Sequence, residues 1–316
     1  MIDIWYGDEQ SFGNYGLCQR WINLLGRVDV ERVRFLECAI NGGTSFPLSI
    51  GPDGHRLGYP GDFNAEIDAG DLVEGENRVR ITAIDVEGER TSREVVVRFS
   101  RKGNCPLPYR IEWNKVRSID EVAQVVEGQW ALTEEGVRVL EPYYDRVIGL
   151  GDLSWRDYEV ATTVTFHGLR VPRKEAGDAG ADVIHAALAV RWPGHDEDGR
   201  QPRVKWYPLG ATAEFRVNPE WKGCSWRILG GGRICVEAEG KRDIELEKRY
   251  GMKHRVESGP GGTARYRVKL WPMEEGEPEE WDLELEKEAG DVQAGGALLL
   301  AHYTEATFGD VEVSPI

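Results

Sequence analysis

Cysteine is scarce and unpatterned in this 316-residue chain: Cys18, Cys38, Cys105, Cys224 and Cys235 are all it has, and no two stand in a Cys-x-x-Cys spacing. A zinc ribbon and a thioredoxin-type redox motif are excluded, and the odd number leaves at least one thiol outside any intrachain disulfide. Cys224 and Cys235 flank an LGGGR turn and could face each other across it; two reduced thiols fit as well. Basic runs and basic helices are also missing, and with a net charge of -16 the chain is no general partner for nucleic acid or an anionic membrane. No apolar run reaches the roughly 18 residues a membrane span needs. The glycine strings Gly230-Gly231-Gly232 and Gly259-Pro260-Gly261-Gly262 lie between strand patterns, so they read as hairpin turns and not as phosphate-binding loops. No Gly-x-Ser-x-Gly nucleophile elbow occurs. No signal peptide precedes Ile2, so the product is expected to be soluble, and extracellular or cell-surface if the chain is a mature fragment.

Helical periodicity is absent as well, and what replaces it is alternation. A hydrophobic content of 41% supports real cores. Over residues 1–100, VRFLECAI is followed by Asn41-Gly42-Gly43, and RVRITAIDVEGERTSREVVVRFS places two alternating strands around Glu87-Gly88. Both are hairpin signals, and about seven strands in a hundred residues suits a sandwich. RKGNCPLP, residues 101–108, breaks the pattern with two prolines and a glycine and is expected to link two modules that touch. Ser118 and Glu121 stand in capping-box spacing, which predicts one helical turn before the strand-like WALTEEGVRVL. From 109 to 316 ten or more strands follow, which predicts a large antiparallel sandwich of jelly-roll type.

Two stretches carry a resemblance. Gly75, Asn77, Val79, Ile81, Ala83, Asp85 and Gly88 match the closing hairpin of bacterial immunoglobulin-like (fibronectin-like) modules, with Asp85 expected to brace the turn. The tail, YRVKLWPMEEGEPEEWDLELE and GALLLAHYTEATFGDVEV, resembles concanavalin A-like lectin/glucanase (laminin G-like) domains. The expected fold is therefore all-β: an immunoglobulin-like β-sandwich over 1–100 and a concanavalin A-like jelly-roll β-sandwich over 109–316. The resemblance implies a ligand groove on the concave sheet of the second sandwich. It also implies a structural calcium held by Asp310 and Glu112, although Gly309-Asp310 reads equally as a bulge; no other cofactor is required.

Alternation locates the expected groove in DVIHAALAVRW, residues 182–192. Ile184, Ala186, Leu188, Val190 and Trp192 form an apolar set, while His185, Ala187, Ala189 and Arg191 form a shallow second face with polar ends. The same reading turns Glu159, Thr163, Thr165 and His167 outward on one neighbouring strand and Thr212, Glu214 and Arg216 on another, with Lys205 and Tyr207 joining them. The expected substrate-binding set is Arg191, Glu214, Arg216, Thr163, Lys205 and Tyr207, and the partner is a polysaccharide or glycan. Should the chain act on that polymer, His185 and His167 are the expected catalytic groups of a lyase or a hydrolase. The Glu-x-Asp-x-x-Glu strand of retaining glucanases is absent, which disfavours the laminarinase route. His302 reads as a hydrogen-bonded core histidine, and His195 to Gly199 as a solvated tip. A structural or adhesion module with no small ligand remains the third class.

Overall fold

The computed structural model describes residues 2–171, 183–197, 199–203, 210–230, 233–288 and 290–316. Strand accounts for 53% of residues and helix for 5%, so the all-β expectation holds. The first hundred residues supply β1 (Ile2–Ile4), β2 (Glu9–Phe12), β3 (Trp21–Val28), β4 (Val33–Ile40), β5 (Phe46–Leu48), β6 (Asp62–Asp68), β7 (Gly75–Asp85) and β8 (Arg90–Phe99). They form a three-stranded sheet, β1-β3-β6, and a five-stranded sheet, β2-β8-β7-β4-β5, around a shared apolar cluster that includes Ile22, Leu24, Phe63, Val79, Ile81 and Val97. Both expected hairpins form, β4–β5 and β7–β8. Asp85 braces the second, its Oδ1 accepting from the backbone N–H groups of Glu87 and Glu89, both at 2.9 Å.

The rest of the chain builds a second, larger sandwich. Its strands are β9 (Tyr109–Ile111), β10 (Gln124–Glu127), β11 (Trp130–Thr133), β12 (Gly136–Val139), β13 (Arg146–Leu150), β14 (Tyr158–Leu169), β15 (Ile184–Trp192), β16 (Ala211–Val217), β17 (Ser225–Gly230), β18 (Arg233–Glu237), β19 (Arg249–Ser258), β20 (Ala264–Pro272), β21 (Leu283–Lys287), β22 (Gly296–His302), β23 (Thr304–Phe308) and β24 (Val311–Pro315). A seven-stranded sheet runs β10-β13-β22-β15-β16-β17-β18; a nine-stranded sheet runs β11-β12-β23-β14-β19-β20-β21 with β24 and β9 attached. The apolar tail does not continue as one strand. Tyr303, at φ 52°, turns the chain from β22 in one sheet to β23 in the other. β19, RYGMKHRVES, escaped the alternation reading because charged residues interrupt it, yet Tyr250, Met252, His254 and Val256 are buried between the sheets.

The expected helical turn after Ser118 forms as a three-residue 3-10 segment, Ile119–Glu121. Ser118 makes no side-chain cap there, and Glu121 instead binds the backbone N–H and guanidinium of Arg117. No disulfide forms among the described residues: Cys224 pairs by backbone with Arg242, and Cys235 sits where the β17–β18 register slips.

The seam between the sandwiches is polar and buried. On the outer side of β1-β3-β6 stand Trp21, Asn23, Asn64 and Glu66, all 2% exposed or less. Arg56 lies between Glu66 (Nη2 to Oε1, 2.8 Å) and Glu127 of β10, all three side chains being sealed from solvent. His195 joins through Nδ1, 2.7 Å from Glu66 Oε1, and its carbonyl accepts from Trp21 Nε1 at 3.0 Å. The expected solvated tip thus carries a buried histidine; Asp198 and the rest of its Asp-x-Asp-Gly string fall partly outside the described residues. Burial alone pushes the Glu66 carboxyl up, but Arg56 and His195 together hold it below the usual range. Burial dominates at Glu127, raising its pKa to about 8, and its Oε2 has no hydrogen-bond partner.

Because removing one member of a buried charge network leaves the others uncompensated, Arg56→Met is expected to cost about 3–5 kcal/mol in urea denaturation. Adding Glu66→Gln and Glu127→Gln should recover most of that loss; a triple variant no more stable than Arg56→Met contradicts this account. A second expectation concerns pH. His254 is fully buried, donates its Nδ1–H to Leu188 O (3.0 Å), and burial lowers its pKa to about 4. Between the unfolded value near 6.5 and about 4, the unfolded chain takes up a proton the folded chain refuses, so stability falls as pH drops through that window, by roughly 2 kcal/mol at pH 5. His254→Asn should shrink the difference between urea midpoints at pH 7.5 and pH 5; an unchanged difference argues against the assignment.

Candidate functional site

Strand β15 behaves as its alternation predicts from Ile184 to Val190 and departs from it afterwards. Ile184, Ala186, Leu188 and Val190 lie in the main core, and Ala187 and Ala189 lie on the opposite face. The register to β22 slips between Ala189 and Trp192, and Arg191 takes φ 53°, so a β-bulge reverses the last two side chains. Arg191 therefore does not share a face with His185. Its guanidinium is wholly buried towards the nine-stranded sheet, with Nε donating to Arg156 O (2.9 Å) and Nη2 to Ser258 Oγ (2.7 Å) and Asp157 Oδ1 (3.1 Å). Its backbone N–H donates to Tyr158 Oη at 2.7 Å. Trp192, expected in the core, takes the place on the outer face.

That outer face is not an open groove. Ala187 and Ala189 have no exposed surface and belong to a separate apolar cluster with Cys18, Val126, Val147, Trp192, Leu298 and Leu300. The cover comes partly from the first sandwich: a Cβ built on Gly149 would meet Cys18 Sγ at 2.6 Å. Small residues on a strand face did signal close approach, but what approaches is the chain itself.

Beyond this apolar patch the face becomes polar, in cross-strand rows set by register. One row pairs His302 with His185, His185 with Arg216, and Arg216 with Ser225. Asp145, at φ 29° before β13, completes it: its Oδ1 is 2.6 Å from His302 Nδ1. The imidazoles of His185 and His302 are stacked, 4.8 Å between centroids and 1° from parallel. The next row brings Glu214 beside Ala187 on one side and Arg227 on the other. Glu214 Oε1 stands 3.4 Å from His185 Nε2, and its Oε2 pairs with Arg227. Burial, then the neighbouring His302, Arg227 and Arg216, hold the His185 pKa well below 6.5, so the ring is neutral at neutral pH. Burial raises the Glu214 carboxyl. His185 Nδ1 is shielded from solvent and has no hydrogen-bond partner.

The expected residues are thus sorted by sheet. His185, Glu214 and Arg216 come together. His167 and Thr163 lie on β14, in the nine-stranded sheet, so the two expected catalytic histidines occupy different layers: His167 is held by Glu247 Oε2 and Thr307 Oγ1, each at 2.8 Å. Consecutive strands β14 and β15 belong to opposite sheets, a crossing that alternation within each strand does not reveal. Lys205 and Tyr207 lie outside the described residues. Asp310 and Glu112 are chain neighbours in space but serve other partners: Asp310 Oδ1 accepts from Trp113 N–H at 3.0 Å, and Glu112 Oε2 accepts from Lys115 Nζ at 2.7 Å. The two groups of metal-type ligands found among the described residues are Asp145 with His185 and His302, and Glu66 with Glu127 and His195. Sequence reasoning missed Asp145 and set His302 aside. The available signal was that His302 alternates with Leu298 and Leu300, the strand that pairs with β15.

No family model matches the chain, and no curated protein matches it. Among solved structures it is similar to the carbohydrate binding module CBM66 from Bacillus subtilis, at 16% identity over 61% of this chain and 94% of that one, with a TM-score of 0.39. The VIP36 exoplasmic/lumenal domain in its Ca2+/Man-bound form gives 12% identity, 66% and 88% coverage and a TM-score of 0.40. An endo-beta-1,4-glucuronan lyase from the fungus Trichoderma reesei gives 10%, 68%, 93% and 0.35.

The closed face makes a direct expectation. Ala189→Trp should destabilise the fold by overpacking, by about 1–3 kcal/mol or more, and not merely block a surface. Urea denaturation checks it, and an Ala189→Trp chain as stable as the parent means the face is open in solution.

Proposed function

We propose that the chain recognises carbohydrate bearing a carboxylate, at the edge of the polar face where Arg216 and Ser225 meet Glu237 of β18. The supporting observation is Arg216. Its Nε has no hydrogen-bond partner, while Nη2 donates to Ser225 Oγ at 2.8 Å and the guanidinium pairs with Glu237. Burial relaxes here: the Arg216 side chain is 28% exposed and Glu237 42%, against 4% for His185. A uronate can replace Glu237 on the guanidinium and take up the unspent donor, as planar Arg–carboxylate recognition requires. No helix among the described residues is long and apolar enough to cross a membrane. A glycan partner fits an extracellular or cell-surface setting.

Processing of that polymer is the second reading. It is favoured by the Asp145–His302 contact at 2.6 Å and the His185–Glu214 contact at 3.4 Å, which set acid and base residue types within reach of each other in adjacent rows. His167, the other expected catalytic histidine, lies on the nine-stranded sheet and is not part of it.

A glycan array probed with the full chain, followed by a product assay on any hit, separates the readings. Binding should favour uronate-bearing oligosaccharides, and Arg216→Ala should weaken it by about 1.5–3 kcal/mol, the worth of hydrogen bonds to a charged group. Turnover that His185→Ala abolishes with KM retained identifies an enzyme. A chain that binds no glycan on the array leaves the structural or adhesion role.

A further inference from the structure

The second-sandwich cluster Asp145, His185 and His302 has a composition that glycan recognition does not require. We propose that these three side chains bind a divalent transition-metal ion, with zinc as the best match to their chemistry. One ligand atom from each lies within 4.8 Å of the other two. Around a tetrahedral zinc with bonds near 2.0–2.1 Å the donors stand roughly 3.4 Å apart, so closing the site takes shifts of the order of 1 Å together with a rotation of the two parallel imidazoles, whose lone pairs lie in the ring planes. Two imidazoles and one carboxylate suit zinc, cobalt, nickel or copper; calcium and magnesium prefer oxygen throughout.

A second observation points to a missing ligand and not to ordinary packing. His185 is 3% exposed, and its Nδ1 is sealed from solvent without a hydrogen-bond partner. A buried polar nitrogen with no partner is costly, and a metal bond is a standard way of satisfying it. The stacked arrangement with His302 brings a second imidazole alongside, and Asp145 adds the negative charge a divalent ion needs. Three protein ligands leave a fourth position open; Glu214 Oε1 stands 3.4 Å from the other ring nitrogen of His185, Nε2.

The other cluster with metal-type ligands already encloses a cation. Glu66, Glu127 and His195 surround the Arg56 guanidinium, which supplies the positive charge itself. At Asp145, His185 and His302 the nearby arginines, Arg227 and Arg216, are instead paired with Glu214 and Glu237.

The inference rests on the ligand set and not on the carbohydrate reading, so metal binding is measured without any glycan. The full chain is treated with EDTA, freed of chelator and titrated with zinc chloride by calorimetry, with bound metal counted by atomic absorption. One zinc per chain is expected, with no displacement by calcium. Asp145→Asn and His302→Gln should each weaken binding by at least the roughly 10–100-fold that follows loss of a metal site's outer partners. His167→Gln, on the other sheet, should bind as the parent does. Zinc binding that survives His185→Gln/His302→Gln overturns the assignment, as does a parent chain that binds none of zinc, cobalt, nickel or copper. Should those variants misfold, cobalt(II) added to the parent chain decides: strong visible bands of a four-coordinate ion support the site, and the weak spectrum of the six-coordinate aquo ion refutes it.

Discussion

The arrangement of the whole chain depends on one buried cation. Arg56 sits in the first sandwich, Glu66 reaches it from β6, Glu127 from β10, and His195 from the segment that leaves β15. None of these side chains is accessible to solvent, so each is tolerable only while the others are in place. The network therefore sets the position of three parts of the chain at once. Asn64 extends it by donating to Val126 O at 2.9 Å, and Gln124 by donating to Trp21 O at 2.9 Å. A polar seam of this kind discriminates more sharply than an apolar one, because a shifted docking would strand charges.

From that docking follows the closure of the face that alternation marked as a groove. With the first sandwich locked in place, Cys18 presses on Gly149 and the apolar cluster around Ala187 and Ala189 is sealed. Polar residues left on the sheet stand in the rows through His185 and Glu214, with Thr212 in the row of Ala189. Exposure returns towards Arg216 and Glu237, which is why the recognition surface is placed at that edge.

The β15 bulge is the second decisive detail. A one-residue insertion in the register reverses every side chain beyond it. Here it carries Arg191 into the space between the sheets, where Asp157, Ser258 and the carbonyl of Arg156 satisfy its guanidinium, and it sends Trp192 out to the closed face. An arginine that reads as a ligand-binding group along the strand is thereby a structural tie between the two sheets.

Alternation and turn chemistry are local, and what they determine was legible: the all-β class, the hairpins at Asn41-Gly42-Gly43 and Glu87-Gly88, the brace at Asp85, and the common face of His185, Glu214 and Arg216. Those features need only a period of two and the φ preferences of a few residues. Tertiary structure alone decided that β14 and β15 lie in opposite sheets, that His302 and Asp145 stand beside His185, that Arg191 turns inward, and that Ala187 and Ala189 are covered. Each of these depends on pairing between segments distant along the chain: Asp145 meets His302 and Cys18 meets Gly149. Period-two patterning states which side chains share a face of one strand, but it carries no information about which strand lies alongside or what packs on top.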